Sequence, residues 1–315
     1  MSAQTRALSP KHAALLVLGV IAVSFSAIFI KWSSAPASMI GFYRMTFSAL
    51  VLLPLALRER HLWRAIHRRD LTIMLIAGIF LGLHFVFWIQ SLKDTSVSSS
   101  TLITALQPVF VGAGAYFAFH ERQSKREMAA AILAIAGASV VGYSDAEASS
   151  RAFLGDIDAL LGAIGASLYM LAGQRSRTSM PPWTYNTTVF SVAAVVLAGD
   201  ALFTHALFFD YDARNWILFA LLALVPTLFG HALFNYLLKF VRASSVAMTI
   251  LGEPVGAILL AYALLHETIT WRDALGGALL LAGVYWFLRT RAKSSTDEGD
   301  GSVIVTTGND EVEML

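Results

Sequence analysis

The amino-acid sequence predicts an all-α polytopic membrane protein, with ten transmembrane helices arranged as two inverted five-helix repeats and both termini in the cytoplasm. Three observations point there. The 315 residues are 57% hydrophobic and only 14% charged, whereas a soluble domain of this size carries about 25% charge. Apolar runs follow one another with too little between them for a soluble domain. The stretch that starts at Ser98 returns at Ser244, 146 residues later.

The runs fall at 12–31, 38–57, 71–91, 98–119, 127–143, 155–174, 183–203, 215–237, 244–265 and 272–289. A spanning helix needs roughly 20 mainly apolar residues, so ten of them take about two-thirds of the chain. Arg6 and Lys11 precede the first run in the manner of a signal peptide. The apolar stretch from Ala13 to Ile30 is too long for a signal core, however, and another span follows at once, which predicts an uncleaved first helix. Trp32, Trp63, Trp183, Trp216 and Trp271 sit at span ends, where indole rings anchor at the headgroups. Orientation comes from the 23 Lys and Arg residues: with the N-terminus inside, 17 fall on the inner side, five on the outer, and Arg44 lies within a span. Such an excess fixes the inner face. The expected organisation is a cytoplasmic N-terminus (1–11), a first repeat (12–143), a second (155–289), and an acidic tail (290–315) with the composition of a disordered segment.

The absence of cysteine excludes disulfides and thiolate chemistry, and the net charge of +2, with basic residues scattered among loops, offers no nucleic-acid surface. No cofactor motif is present: neither a Gly-rich phosphate loop nor HExxH nor a serine elbow, so the chain does not read as an enzyme.

Without gaps, positions 98–143 and 244–289 share 12 identities. Apolar composition alone supplies Leu and Ala matches. It does not supply Pro108–Val109 on Pro254–Val255, Tyr116 on Tyr262, His120–Glu121 on His266–Glu267 and Arg126 on Arg272 in one register. One residue of slack pairs His84 with His231. A repeat of five spans is odd in number, so its second copy lies upside down, the arrangement of many secondary transporters that bind solute at the midplane between the halves.

The two segments "SVSSSTLITALQPVFVGAGAYFAFHERQSKREMAAAILAIAGASVVG" and "RASSVAMTILGEPVGAILLAYALLHETITWRDALGGALLLAGVYWF", with the arginine-bearing second span "GFYRMTFSALVLLPLAL", resemble the EamA-like ten-helix members of the drug/metabolite transporter superfamily. The resemblance covers roughly residues 12 to 290. It implies export of an amino acid or similar small metabolite across a membrane, expected to be the bacterial inner (cytoplasmic) membrane, driven by a proton or solute gradient. A carrier for another solute class, such as a nucleotide sugar or a drug-like compound, is the alternative; an intramembrane enzyme or a sensor is a third. Where the family usually has glycine before the turn glutamate, this chain has His120 and His266, a departure expected to matter little.

Glu253 is the most informative candidate. It sits mid-span beside Pro254, where a carboxylate costs about 2.5–3.5 kcal/mol on insertion scales. It could load and release a coupling proton, while its repeat partner Gln107 cannot titrate. Pro108 and Pro254 each remove a backbone hydrogen bond in the fourth and ninth spans and so break the helix at related points. His84 and His231 are paired with Trp88 and Asn235 at i+4, on the same helix faces. Together with Gln107 and Tyr169 they are the candidate substrate-binding residues. A packed core role is the alternative for each, and a metal site lacks a third ligand. Arg44 reads either as a clamp for a substrate carboxylate or as a structural or snorkelling residue. Thr101 and Thr104, on the face leading to Pro108, are expected to bond their own i−4 carbonyls. Glu127 and Asp273 are expected to cap the last helix of each half, and the turn glutamates Glu121 and Glu267 to act on the same helices.

Overall fold

The computed structural model describes residues 10–119, 123–174, 180–237, 246 and 249–300, and among these there is no strand. The helices are α1 (Pro10–Trp32), α2 (Ala37–Arg58), α3 (Arg68–Asp94), α4 (Val97–Thr104), α5 (Gln107–Phe119), α6 (Lys125–Ala148), α7 (Ser150–Gln174), α8 (Pro182–Phe203), α9 (Ala213–Leu222), α10 (Leu233–Leu237), α11 (Gly252–Leu265) and α12 (Trp271–Asp300). A short 3₁₀ turn, Arg60–Ala65, follows α2. Among the described residues eight stretches are long and apolar enough to cross a membrane, with α4 and α5 counted together as Val97–Ala118. The ninth and tenth expected runs correspond to α11, a shorter apolar helix, and to α12, which falls outside that count. The chain is an all-helical integral membrane protein. α12 continues into the first part of the acidic tail, and the remainder of the tail lies outside the described residues, as do His120 and Glu121.

Local chemistry explains several helix starts. Ser96 accepts from Ser99 N–H at the start of α4, and Asp212 from Asn215 N–H at the start of α9. Glu127 accepts from Ser124 N–H while Ser124 Oγ accepts from Glu127 N–H, and Asp273 and Thr270 exchange the same two bonds before α12. These reciprocal capping boxes satisfy two orphan donors at once. Glu267 behaves differently from the expectation. It leaves α12 alone and accepts from Val97 N–H at the start of α4. Its predecessor His266 takes φ 56°, the left-handed region that glycine occupies freely. A non-glycine residue there costs roughly 1–2 kcal/mol, so the departure from the family's glycine does carry a consequence.

Helices pack as α3 with α7, α6 with α12, α2 with α8, and α1 with both α11 and the segment Ala223–Ala232. That segment is wound as a π-helix around Pro226, which lacks an N–H and crowds the carbonyl four residues back. The wider turn lets Thr227 Oγ1 donate to Leu222 O, five residues away. At the α6–α12 crossing a Cβ on Gly137 would lie 2.4 Å from Leu280 N and 2.6 Å from Gly276 O, and one on Gly283 2.5 Å from Ala134 N and 2.8 Å from Ala130 O. Only glycine permits backbones this close, the usual basis of tight helix contact in lipid.

Candidate functional site

The two interrupted helices meet at a cavity of about 110 Å³. α4 gives way to α5 through a turn at Ala105–Leu106, and the chain breaks again at Leu251 just before α11. Pro108 and Pro254 have no N–H for the carbonyls of Thr104 and Ile250, four residues back, and both of those residues line the cavity. The helical N-termini of α5 and α11 therefore end at its wall, each carrying a partial positive charge.

Most of the expected residues come together here. His84, Trp88, Gln107, His231 and Glu253 line the cavity beside Pro108, Pro254, Phe85, Thr101 and Thr104. Tyr169 does not; it packs against the main hydrophobic core. Asn235 falls within α10, and its side chain lies outside the described residues. Thr101 and Thr104 return their hydroxyls to Val97 O and Ser100 O, so they present their methyl groups rather than free donors.

His84 and Trp88 stack with ring centroids 5.7 Å apart at 11°. His84 Nδ1 lies 2.8 Å from Gly162 O. A carbonyl only accepts, so Nδ1 carries the hydrogen and Nε2 of the neutral ring is left as an acceptor. The Trp88 side chain is buried, yet its Nε1–H has no partner among the described residues. Among the same residues the half-buried Glu253 carboxylate forms no ion pair within 4.0 Å and no hydrogen bond; Gln107, its counterpart, donates from Nε2 to Met170 Sδ at 2.7 Å. A buried donor without a partner is costly.

Arg44 stands behind this wall and does not snorkel. Only 1% exposed, it donates from Nε to Thr227 Oγ1 (3.0 Å) and from Nη1 to Ser26 Oγ (2.9 Å). Its guanidinium lies 4.5 Å from the Phe85 ring centroid and 6.0 Å from that of Trp88. A cation under aromatic faces is stabilised by the ring quadrupoles.

Two serines escaped the sequence reading. Ser24 Oγ donates to Val20 O (2.8 Å) and reaches Glu253 O (3.3 Å), while Ser167 Oγ donates to Ala163 O (2.7 Å) and reaches Gln107 O (3.0 Å). Each hydroxyl braces a carbonyl in the first turn of the helix that follows a break. The signal was present as LGVIAVS at 18–24 against LGAIGAS at 161–167, a match outside the region where the repeat is plainest.

Comparison with known proteins decides the family. The EamA-like transporter family matches residues 11–143 and again 153–289. The chain belongs to the EamA-like transporter family. Its relatives include an uncharacterized transporter of Archaeoglobus fulgidus, 26% identical over 271 residues (86% of this chain, 94% of the relative). A WAT1-related protein of Arabidopsis thaliana is 24% identical over 301 residues (82% and 80%). A crystal structure of another protein superposes with a TM-score of 0.60 at 16% identity, covering 88% of this chain and 96% of that one; this likeness shows a shared fold. The EamA-family chain is thus a membrane transporter rather than an enzyme, with a small-molecule substrate and a lipid environment.

Proposed function

We propose that the chain is a secondary transporter that exports an amino acid or similarly small metabolite by alternating access, with Glu253 coupling transport to protons. The observation that carries this reading is the Glu253 carboxylate in the cavity wall, with no ion pair or hydrogen bond among the described residues, in the same lining as Trp88, whose buried N–H also lacks a partner there. A zwitterion offers one acceptor and one cationic donor, which complements them. Its carboxylate would meet Trp88 and the N-termini of α5 and α11, the use that anionic groups make of broken helices in other transporters. Its ammonium would meet His84 Nε2, His231 or Glu253. Arg44 then acts beneath the binding wall as a fixed charge that holds Phe85 and Trp88, not as a clamp on the solute.

Cavity size favours a small solute over the alternatives. At roughly 30 Å³ per water-sized group, a cavity of about 110 Å³ holds on the order of four such groups. That is the scale of a small amino acid and falls well short of a nucleotide sugar.

Support for inverted repeats of five spans each, spanning 12–143 and 155–289, comes from reciprocal contacts. Gly137 meets Gly276 and Leu280, and Gly283 meets Ala130 and Ala134, which are the same contacts with each member exchanged for its partner 146 residues away. The cross-braces Ser24–Glu253 and Ser167–Gln107 reciprocate in the same way. Two similar units related by a two-fold axis can exchange conformations, which is the basis of alternating access. The test is a radiolabelled panel on purified protein in liposomes with an imposed proton gradient. Uphill accumulation of an amino acid is expected; accumulation of only large solutes, or of none, would overturn the proposal.

A further inference from the structure

At the end of the bundle that the charge distribution assigns to the outer face, one carboxylate joins the two repeat units. Glu267 lies between α11 and α12, in the second unit. Its Oε2 accepts from Val97 N–H (2.9 Å), the first residue of α4, and its Oε1 lies 3.6 Å from Lys31 Nζ at the end of α1. Lys31 Nζ also donates to Thr95 O (2.8 Å) in the turn before α4. Both partners belong to the first unit. The carboxylate is therefore a capping group supplied to α4 from the opposite unit.

Its aim is set by backbone. α11 ends with His266 in the left-handed conformation, and Glu267 N–H returns to Ala261 O (3.3 Å). This tight stop turns the chain off the helix axis and delivers the next side chain across the inter-unit seam. α4 is also the short half-helix whose far end, at Thr104 and Ala105, lines the central cavity. Whatever fixes its first residue constrains the cavity wall eight residues on.

We propose that Glu267 is the outer gate residue, clipping α4 and Lys31 to the second unit so that the cavity stays closed outward until the clip releases. The proposal rests on the transport reading above. A charge-assisted bond to a helix N-terminus plus an ion pair at partial exposure would shift an open–closed balance by about tenfold.

The chain contains no cysteine, so a single introduced thiol reports on one position without background. Ala105→Cys places that thiol in the cavity wall. Its modification by a membrane-impermeant methanethiosulfonate reagent is followed from the outer and inner sides of oriented vesicles. Adding Glu267→Ala should raise the outer-side rate about tenfold, and Lys31→Gln should raise it by a smaller factor. Lys31→Gln decides the matter if Glu267→Ala fails to fold. His266→Gly, which keeps the carboxylate and removes the backbone strain, should leave the rate at its parent value. An outer-side rate unmoved by either clip variant, in protein whose thiol does react from one side, overturns the gate alone. A thiol that reacts from neither side in any variant overturns alternating access, and the gate with it.

Discussion

The two sides of the cavity share a frame and differ in chemistry. On one side α5 begins with Gln107 before Pro108, braced through its carbonyl by Ser167; on the other α11 presents Glu253 before Pro254, braced by Ser24. Break, proline and brace are duplicated. The side chains at the break are not: Gln107 turns to Met170 Sδ, while the Glu253 carboxylate is left facing the cavity. The lesson is that the duplicated parts are those that interrupt a helix and expose its terminus, and the unduplicated part is the one group at the break that can change charge. On the proposed transport reading, the symmetry serves movement and its local breaking serves coupling.

The largest expected effect comes from erasing that difference. Glu253→Gln makes both breaks amides and should abolish proton-driven accumulation, a loss of at least about 100-fold on the scale of removed ionisable groups at functional sites, while solute exchange across the same liposomes persists. Undiminished gradient-driven flux would end the coupling role. The converse variant, Gln107→Glu, tests whether position or residue type matters: with Glu253→Gln it should restore part of the coupled flux if the halves are interchangeable.

Next is Arg44. Its charge is fully desolvated and held by two hydroxyls and two aromatic faces. Arg44→Lys keeps the charge but cannot fork between Thr227 and Ser26 or lie flat beneath Phe85. A cost of about 2–4 kcal/mol, read as a lowered unfolding midpoint in detergent, is expected from breaking a buried hydrogen-bonded charge. A Lys variant as stable as the parent would mean that the site holds any cation.

His84→Ala and His231→Ala probe the two histidines that share the cavity. His84 is fixed by Gly162 O and stacked on Trp88, so its removal should weaken solute binding about tenfold, the worth of one well-placed hydrogen bond in a closed site. His231, also in the cavity wall, forms no comparable hydrogen bond among the described residues, and its loss should cost less. Equal and negligible effects on affinity would return both residues to packing.

How much of this was legible follows from what each interaction depends on. The two prolines and the acidic break residue show in the sequence because a charge or a missing N–H in an apolar run is costly in lipid. Gln107 was read as the repeat partner of Glu253, His84 and His231 as a repeat-matched pair and Trp88 from its place at i+4 of His84; the structure puts these five residues in the wall of one cavity. Tyr169 looked similar, but a tyrosine is half apolar and packs as readily as it binds. Ser24 and Ser167 recur in matching segments, but a serine in a span bonds its own i−4 carbonyl by default, and only the fold shows which second carbonyl lies beside it. Glu267 was assigned to the nearer helix because sequence distance is the one distance a sequence gives; the left-handed His266 sends it elsewhere.

The subtlest comparison is between the two glycines of the α6–α12 crossing. Gly137→Ala and Gly283→Ala would each put a Cβ within about 2.5 Å of backbone, where no rotamer change relieves the clash. Each should destabilise by about 1–3 kcal/mol, the usual range for overpacking. If the crossing is reciprocal, the two costs should agree to within about 1 kcal/mol, and Gly199→Ala, whose Cβ meets nothing within 4 Å, should be neutral or slightly stabilising because it removes glycine from a helix. The double variant is the sharper measurement. The two glycines lie in one α6–α12 crossing, Gly137 against Gly276 and Leu280 and Gly283 against Ala130 and Ala134, so a shift of α12 that accommodates the first Cβ also opens space for the second. The combined cost should then be less than additive. Strict additivity would mean that the crossing yields separately at its two points, and that the units do not move there as one rigid pair.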